Sequence, residues 1–281
     1  SLLQDTVRRL LDDAYPTTRA RQISDTETGH DTELHIRPAE LGVLGTLVPE
    51  THGGNALSFL DAMLVCEELG RAAAPGAFVA TGVLAAIALR ECGHAPLCKE
   101  VLPEIAAGRT RFGVGLAESY AARDGAGVRL EHGRLAGTAL FALDAVSADR
   151  LLVHCAGGLA LVSAASSGIE IIPLDSIDRT RRIAELRFNE VEPTAILEGT
   201  PRVLAAGRLA IAFDLLGCCT RALELSLAYA MERKQFGRVI GSFQAVKHML
   251  AEIAAALEPA RSLAWYAAHA FDHAPADASR L

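Results

Sequence analysis

The sequence lacks the short motifs that mark several large classes of enzyme. It contains no Walker or Rossmann glycine fingerprint, so the usual phosphate-cradling loops are missing. It also has no HExxH pattern and no Gly-x-Ser-x-Gly elbow, which argues against the common zinc proteases and serine hydrolases. These absences exclude the enzymes that a short pattern alone would identify.

The sequence also lacks a convincing set of metal ligands. Its six cysteines have no paired metal-type spacing. His269 and His273 are four residues apart, which suits a zinc pair, but no third ligand accompanies them. The other histidines are scattered: His30, His35, His52, His94, His132, His154 and His248. We therefore predict no metal site.

Basic residues are too few for a nucleic-acid-binding protein. The net charge of -7 and the pI near 5.7 argue against nucleic acid as a partner. Residues 1–13 form no apolar signal-peptide core, which predicts a cytoplasmic protein with reduced thiols. The longest apolar run, Val203 to Cys219, is interrupted by Arg208 and Asp214. We interpret it as a buried soluble helix and predict no membrane span.

The pattern of apolar residues divides the chain into three blocks. Residues 1 to about 108 have helical periodicity, for example from Ser58 to Arg71, where Ser58 and Asp61 offer a capping pair. From Arg111 the pattern changes to short apolar runs separated by Gly, Asp and Ser, which predicts a small β domain. The helical periodicity of apolar residues returns near Thr200. A cap is predicted at Thr200, with Pro201 as the first helical residue.

Two long helices are predicted in the last block. The first, from Pro201 to about Arg233, is apolar nearly all round, which predicts a position inside a bundle. Gly237 supplies the break before the second helix. Its apolar stripe comprises Val246, Met249, Leu250, Ile253 and Leu257.

The segment from Tyr229 to Ala251, YAMERKQFGRVIGSFQAVKHMLA, resembles the flavin-binding helix pair of acyl-CoA dehydrogenases. Other segments are similar to sequences of the family and occur in the same order: VPETHGG followed by EELGR, then LPEIAAG, then RTRRIAELRFNEV. The resemblance implies an α+β fold with an N-terminal helical domain at 1–109, a middle β-barrel-like domain at 110–197 and a C-terminal helical bundle at 198–281. It also implies FAD as the cofactor.

The resemblance assigns the FAD contacts to the turn between the two long helices. The implied cofactor-binding residues are Arg233, Gln235, Phe236, Ile240 and Gln244, which in this family reach a neighbouring subunit's FAD. Arg233 would donate paired hydrogen bonds to the diphosphate. A solvated arginine that pairs with Glu232 or with Asp side chains remains the alternative for Arg233. Core packing remains the alternative for Phe236, Ile240 and Phe243.

The sequence departs from the family where the chemistry takes place. The family's glutamate base removes the α-proton of an acyl thioester, while flavin N5 accepts hydride from the β-carbon. One placement of that glutamate aligns with Thr200, and the other is expected beyond residue 281, so we assign no catalytic residue. Glu198 is interpreted as a residue at the helix start. Arg202 stands one position away from the family's arginine for CoA, and it is expected to point elsewhere.

The cradle of the flavin ring is also altered. Ala117-Glu118-Ser119 stands where the family has Thr-Glu-Pro, and Phe141 and Leu143 replace a Trp and a Ser or Thr. Each polar group of a buried cofactor that lacks a hydrogen-bond partner lowers the binding free energy by about 1–3 kcal/mol. We therefore do not expect this chain to form a complete flavin site by itself.

These features resemble one subunit of a heteromeric enzyme. The actinobacterial acyl-CoA dehydrogenases for steroid side-chain thioesters are α2β2 assemblies whose subunits divide the site. The implied partners are a homologous subunit, an acyl-CoA and an electron-transferring flavoprotein. Two alternatives stay open. One is a homotetrameric enzyme whose base lies beyond residue 281, and the other is a non-catalytic scaffold subunit.

Overall fold

The computed structural model describes residues 2–29, 31–121 and 123–275. His30, one of the histidines considered above, lies outside them, as do the last six residues of the predicted C-terminal domain. The helices are α1 Leu2–Ala14, α2 Thr17–Ser24, α3 Thr32–Glu40, α4 Phe59–Ala72, α5 Ala86–Glu91, α6 Ala95–Ala106, α7 Ala117–Tyr120, α8 Thr200–Glu232 and α9 Gln244–His273. A π-helical segment, Phe78–Ala85, leads into α5, and the predicted turn at VPETHGG holds a single 3-10 turn, Glu50–His52.

The middle block is an eight-stranded sheet. Its strands are β1 Phe112–Gly115, β2 Gly127–Glu131, β3 Arg134–Leu143, β4 Arg150–Cys155, β5 Gly158–Ser163, β6 Ile169–Leu174, β7 Ile183–Val191 and β8 Ala195–Leu197. The order is β6-β7-β3-β1-β4-β5-β8, and β2 pairs with both β3 and β4. Strands β3, β1, β4 and β2 therefore pair in a closed ring. This confirms the α+β, barrel-like prediction.

Alternation along the strands separates two cores. On β4, Leu151 and Val153 belong to a core inside the β block, whereas Leu152 packs with the helices. On β5, Leu159 and Leu161 likewise face the helices. Successive side chains of a strand point to opposite faces, so one sheet closes both cores. We propose 1–109, 110–197 and 198–281 as the domain bounds, since β1 starts at Phe112 and β8 ends at Leu197.

Helix α4 organises the helical core. The predicted capping pair is confirmed: the Asp61 N–H donates to Ser58 Oγ, and the Ser58 N–H donates to Asp61 Oδ2. The Phe59 N–H donates to Asp272 Oδ2 of α9 at 2.7 Å. The first turn of α4 thus has a local cap and a second acceptor supplied by the end of α9.

Two buried glutamates of α4 tie it to both ends of the chain. Arg8 of α1 donates two hydrogen bonds to Glu68, at 2.7 and 2.8 Å. Arg261 of α9 forms an ion pair with the neighbouring Glu67. Because a buried carboxylate needs a partner to offset its lost hydration, these pairs fix α1 and α9 on α4.

Helix α8 crosses α4 at very close range. A Cβ on Gly70 would meet the backbone of Asp214, and one on Gly217 would meet the backbone of Glu67. Both positions therefore need glycine. Among the described helices, α8 alone has the length and hydropathy to cross a membrane. Its packing on α4 makes it a core helix of this fold.

Two predictions for α8 need correction. The cap residue is Gly199 (φ +92°), and no side chain caps the helix, so Thr200 is the first helical residue. The helix is also not buried all round. Val203, Phe213 and Leu216 are buried, but Ile211, Leu215 and Leu227 are exposed. Helices α4 and α9 both pack on α8, and within the described chain the side of α8 that carries Ile211, Leu215 and Leu227 stays exposed.

Arg181 joins the β block to α8. It lies just before β7, donates to Asp214 Oδ1 of α8 at 2.9 Å and to the Gly76 carbonyl at 2.8 Å, and its side chain is only 16% exposed. Asp144, which follows β3, also interacts with this guanidinium. Its Oδ2 is buried and has no hydrogen-bond partner among the described residues. The Arg181 guanidinium thus interacts with α8, with the segment before the π-helix and with the end of β3.

Replacing Arg181 should therefore destabilise the chain. We expect Arg181→Met to lower the free energy of unfolding by about 2–4 kcal/mol, because Asp214 and Gly76 lose a largely buried donor. Arg179 is the matched control, since its pair with Asp25 is exposed on both sides. Arg179→Met should cost less than about 1 kcal/mol. Urea unfolding measures both, and equal costs would contradict the role given to Arg181.

Asp144 should make the stability depend on pH. Burial raises the pKa of Asp144 from 3.8 to about 7, against the opposing effect of Arg181. The folded chain therefore holds a proton that the unfolded chain releases, and this contribution is lost as the pH rises from about 4 to 7. The loss is at most about 1.4 kcal/mol per pH unit.

Asp144→Asn should remove that part of the pH dependence, because asparagine does not titrate and tolerates the positive φ of 54°. Unfolding free energies at pH 5 and pH 8 provide the measurement. Asp124→Asn, an exposed position, is the control and should keep the wild-type slope. An unchanged slope in Asp144→Asn would show that another group titrates.

Candidate cofactor site

The turn between α8 and α9 is a two-stranded hairpin followed by a 3-10 turn. Lys234–Gln235 pairs with Arg238–Val239, which leaves Phe236 and Gly237 as the loop. Their φ angles are +51° and +79°. Two consecutive positive φ angles are typical of a type I′ turn, which matches the twist of the strands it joins. The Ile240 N–H donates to the Arg233 carbonyl at 2.8 Å and closes the hairpin.

The structure brings the five predicted cofactor-binding residues into this one turn. Arg233, Gln235, Phe236 and Gln244 are exposed, and Ile240 is half-buried. The Arg233 side chain is exposed and makes no ion pair with Glu232 or an aspartate within the described part of the chain. The Gln235 amide donates to the neighbouring Lys234 carbonyl at 2.8 Å. The turn thus displays accessible amides and a guanidinium that has no ion-pair partner among the described residues.

Phe236 is held in an unfavourable position. Its side chain is 92% exposed, and its φ lies in the left-handed region that bulky residues avoid. Core packing is therefore wrong for Phe236. Phe243 makes an edge contact with it at 6.2 Å between ring centroids, and Arg238 lies 4.1 Å from the Phe243 ring. The two flanking aromatic and cationic groups hold the turn without burying Phe236.

The altered ring-cradle positions also come together, at the junction of the β block and α8. Ala117, Phe141 and Leu143 line one cavity of about 340 Å³. Most other lining residues are aliphatic: Val79, Leu84, Val114, Leu116, Ile183 and Ile211. Aliphatic side chains present no donors to ring nitrogens or oxygens, and the donors among the lining residues are the side chains of Tyr120 and Arg123.

Helix α7 lies at the edge of this cavity. The Tyr120 hydroxyl donates to the Leu204 carbonyl of α8 at 3.1 Å, and partial burial raises the pKa of this phenol. Arg123 donates to the Ala117 carbonyl and lies 5.4 Å from the Phe141 ring. Arg208 stacks over Tyr120 at 5.2 Å. The side chains of Tyr120, Arg123 and Arg208 at the rim of the cavity therefore already have hydrogen-bond or ring partners within this chain.

The two regions fit FAD differently. The turn suits a diphosphate, since Arg233 is a free forked donor. The cavity suits an isoalloxazine less well, because most of its side chains are aliphatic and the Tyr120 hydroxyl and Arg123 guanidinium already bond to the chain. The regions are also far apart. Ile211 lies in α8, and Arg233, 22 residues later, directly follows this helix. At about 1.5 Å of rise per residue, the two positions are about 33 Å apart along the helix axis.

The residues at the start of α8 serve the fold. Arg202 donates to Glu91 at 3.0 Å and stacks over Phe271 at 4.1 Å, so it is held against α5 and α9. Glu198 is exposed and precedes the helix. His269 and His273 of α9 contact each other through their rings. The described residues contain no group of three or more metal-ligating side chains.

The comparisons with known proteins agree with this architecture. A family model for the N-terminal domain of acyl-CoA dehydrogenases matches residues 1–109, and one for their C-terminal domain matches residues 198–280. A solved structure described as a steroid acyl-CoA dehydrogenase, Tcur3481-Tcur3483, is 31% identical, with a TM-score of 0.89 over 97% of this chain and 77% of that one. The chain belongs to the acyl-CoA dehydrogenase family.

Two further relatives come from Mycobacterium tuberculosis. The acyl-CoA dehydrogenase IpdE2 is 28% identical across all of this chain and 79% of its own length. A chain of the ChsE4-ChsE5 complex is 27% identical, with a TM-score of 0.90 over 99% of this chain and 79% of that one. As a family member, this chain is part of an FAD-dependent acyl-CoA dehydrogenase oxidoreductase.

Sequence reasoning missed Tyr120 and Arg123. Both lie on or just after α7, a short helix that the β-type pattern after Arg111 did not predict. A Tyr and an Arg directly after the altered Ala117-Glu118-Ser119 triplet were the available signal. Their contacts with Leu204 and Phe141 depend on tertiary packing, which periodicity does not reveal.

The conformation of Phe236 gives a test of the turn. Phe236→Asn should leave the free energy of unfolding within about 0.5 kcal/mol or raise it, because Asn-Gly is the preferred type I′ pair. Gly237→Val should lower it by about 1 kcal/mol or more, since valine resists a positive φ. Thermal unfolding of both variants is the measurement. A large loss in Phe236→Asn would indicate that the exposed ring stabilises the chain itself.

Proposed function

We propose that this chain is a subunit of an acyl-CoA dehydrogenase complex in which it holds part of an FAD whose ring rests in a homologous partner. Arg233, Gln235, Phe236, Ile240 and Gln244 would contact the pyrophosphate and adenosine of that FAD. The partner would supply the catalytic base. The observation that carries the proposal is the contrast between an exposed, polar turn and an aliphatic ring cavity in the same chain.

The separation of the two regions supports cofactor binding in trans. About 33 Å of helix lies between Ile211 at the cavity and Arg233 at the turn. A flavin in the chain's own cavity would therefore leave the turn unused. An exposed, unpaired arginine and a strained, exposed phenylalanine are typical of residues kept for a ligand or partner.

Exposed apolar residues on α8 and α9 support a protein partner. Between the helices runs a groove of about 520 Å³ lined almost wholly by aliphatic side chains. Leu215, Leu225, Met231, Met249 and Ile253 are exposed along the same two helices. Such a continuous apolar face is characteristic of a subunit interface. The homologous ChsE4-ChsE5 complex is a precedent, and we propose an α2β2 arrangement here.

The reaction proposed for the complex is the desaturation of an acyl-CoA between its α and β carbons. FAD, when bound, supplies the hydride acceptor. This chain's contribution is to position and neutralise the diphosphate through Arg233, and to bond adenosine groups through Gln235 and Gln244. An electron-transferring flavoprotein is the acceptor that the family resemblance implies, and we propose a cytoplasmic location.

A steroid side-chain thioester is the substrate class that we propose. The support is indirect: a relative of 31% identity is described as a steroid acyl-CoA dehydrogenase. The proposal is tested by comparing turnover of a steroid side-chain CoA thioester with that of a straight-chain acyl-CoA of similar size. Faster turnover of the straight chain would contradict it.

The decisive measurement is flavin content. We expect the chain expressed alone to purify with less than about a tenth of an equivalent of FAD, and the complex with a neighbouring-gene homologue to carry FAD. Stoichiometric FAD and dehydrogenase activity in the lone chain would overturn the divided site. That result would favour the homomeric alternative.

Arg233 can be tested within the complex. Arg233→Ala should weaken FAD binding about 10- to 100-fold, because a charge-assisted forked contact contributes about 1.5–3 kcal/mol. Arg233→Lys should recover only part, since lysine lacks the fork. Arg129→Ala, at an exposed position of strand β2, is the control. Unchanged FAD affinity in Arg233→Ala, with the complex intact, would point to the scaffold alternative.

A further inference from the structure

Two cysteines meet at the corner between α5 and α6. Cys92 directly follows α5, and Cys98 lies in the first half of α6. Their Sγ atoms are 3.8 Å apart, and both thiols donate to the Leu89 carbonyl, each at 3.0 Å. A disulfide needs about 2.05 Å between sulfurs. Because one acceptor already holds both thiols side by side, a closure of about 1.8 Å would join them.

The corner has room for this closure. Gly93, next to Cys92, has a φ of +65°, and no atom lies within 4 Å of the place where its Cβ would be. The His94 N–H donates to Cys92 Sγ at 3.4 Å, while His94 Nδ1 accepts from the Leu97 N–H and caps α6. In the segment between the two cysteines, His94 is therefore held by its cap on α6, whereas Gly93, next to Cys92, has open space around it.

The remaining cysteines are less suited to pairing. All six are free thiols. Cys66 and Cys155 are buried separately, and burial raises the pKa of both thiols. Cys218 and Cys219 are neighbours on α8, where successive side chains point about 100° apart. These two form a natural comparison pair, since they are closer in sequence and more exposed.

We infer that Cys92 and Cys98 form a redox-modification site that closes reversibly to a disulfide when a small disulfide oxidant such as oxidised glutathione is present. In the first step the Cys92 sulfur attacks the oxidant and releases one reduced thiol. The Cys98 sulfur then attacks the mixed disulfide and releases the second. Two electrons and two protons pass from the protein thiols to the two released thiols.

The order of the two steps follows from the surroundings. Burial, reinforced by the neighbouring thiol, raises the pKa of Cys98 to about 11, so its thiolate is scarce at neutral pH. Cys98 is therefore assigned the second, intramolecular step, where proximity compensates for the small thiolate fraction. The reaction should be slow and set by the glutathione ratio, unlike that of a fast peroxide sensor.

Closure would stiffen a junction that holds α8. Glu91, the last residue of α5, accepts from Arg202, and Arg202 stacks on Phe271 of α9. A disulfide at Cys92 fixes the end of α5 to α6 and so restrains Glu91. We therefore expect oxidation to raise the midpoint of thermal unfolding by about 2–4 °C. This inference is independent of the proposed FAD role.

Peptide mapping tests the inference directly. The folded chain is equilibrated with oxidised glutathione, its free thiols are alkylated, and it is digested with trypsin without reduction. Glu91–Lys99 is a single tryptic peptide that contains both cysteines. We expect it to lose two hydrogens and to carry no alkyl group. The peptide holding Cys218 and Cys219 should be alkylated or glutathionylated, and reduction should restore both thiols of Glu91–Lys99.

Single variants complete the design. Cys92→Ser should leave Cys98 largely unmodified, whereas Cys98→Ser should trap a glutathione adduct on Cys92. Both variants should lose the thermal shift on oxidation. Alkylation of both cysteines in the folded wild-type chain, or bridging of either to another cysteine, would overturn the inference. Closure without a thermal shift would overturn the stiffening.

Discussion

The buried Arg181 guanidinium is the contact on which the relative placement of the β block and the helices depends. It reaches Asp214, near the middle of α8, and the Gly76 carbonyl, which precedes the π-helical segment. The glycine contacts of Gly70 and Gly217 flank the same stretch of α8 and press it onto α4. Because α8 carries the ring cavity on one side of this anchor and the cofactor turn at its far end, fixing Asp214 positions both.

Sequence periodicity predicted most elements, and the residues show where it failed. The β block was predicted because its short apolar runs, which form strands such as β4 and β5, stand between clear turn residues. The β2–β3 hairpin and α7 were missed because Gly127, Thr138 and neighbouring small residues give little contrast. In RTRR, nothing in the sequence distinguishes Arg181, which is mostly buried, from the exposed Arg179. That choice depends on long-range contacts.

The composition of α8 explains why its burial was overestimated. An all-round apolar helix predicts protein on every side, yet within the described chain α4 covers one face and exposed Ile211 and Leu215 lie on another. A helix that packs on its own domain and on a second subunit has the same composition as one buried in a single core. Sequence pattern measures how much of the surface is apolar, and it cannot identify the molecule that covers it.

The two ends of α8 can change independently because they would serve different cofactor molecules. If one flavin touched both the cavity and the turn of the same chain, the loss of hydrogen-bond donors in the cavity would leave the turn without a ligand. The exposed, strained Phe236 would then only lower the stability of the chain. About 33 Å of rigid helix removes that coupling. A chain can then fill its ring cavity with aliphatic side chains and the contacts of Tyr120 and Arg123, which favours its own stability. We propose that its turn presents Arg233 to the cofactor of a partner.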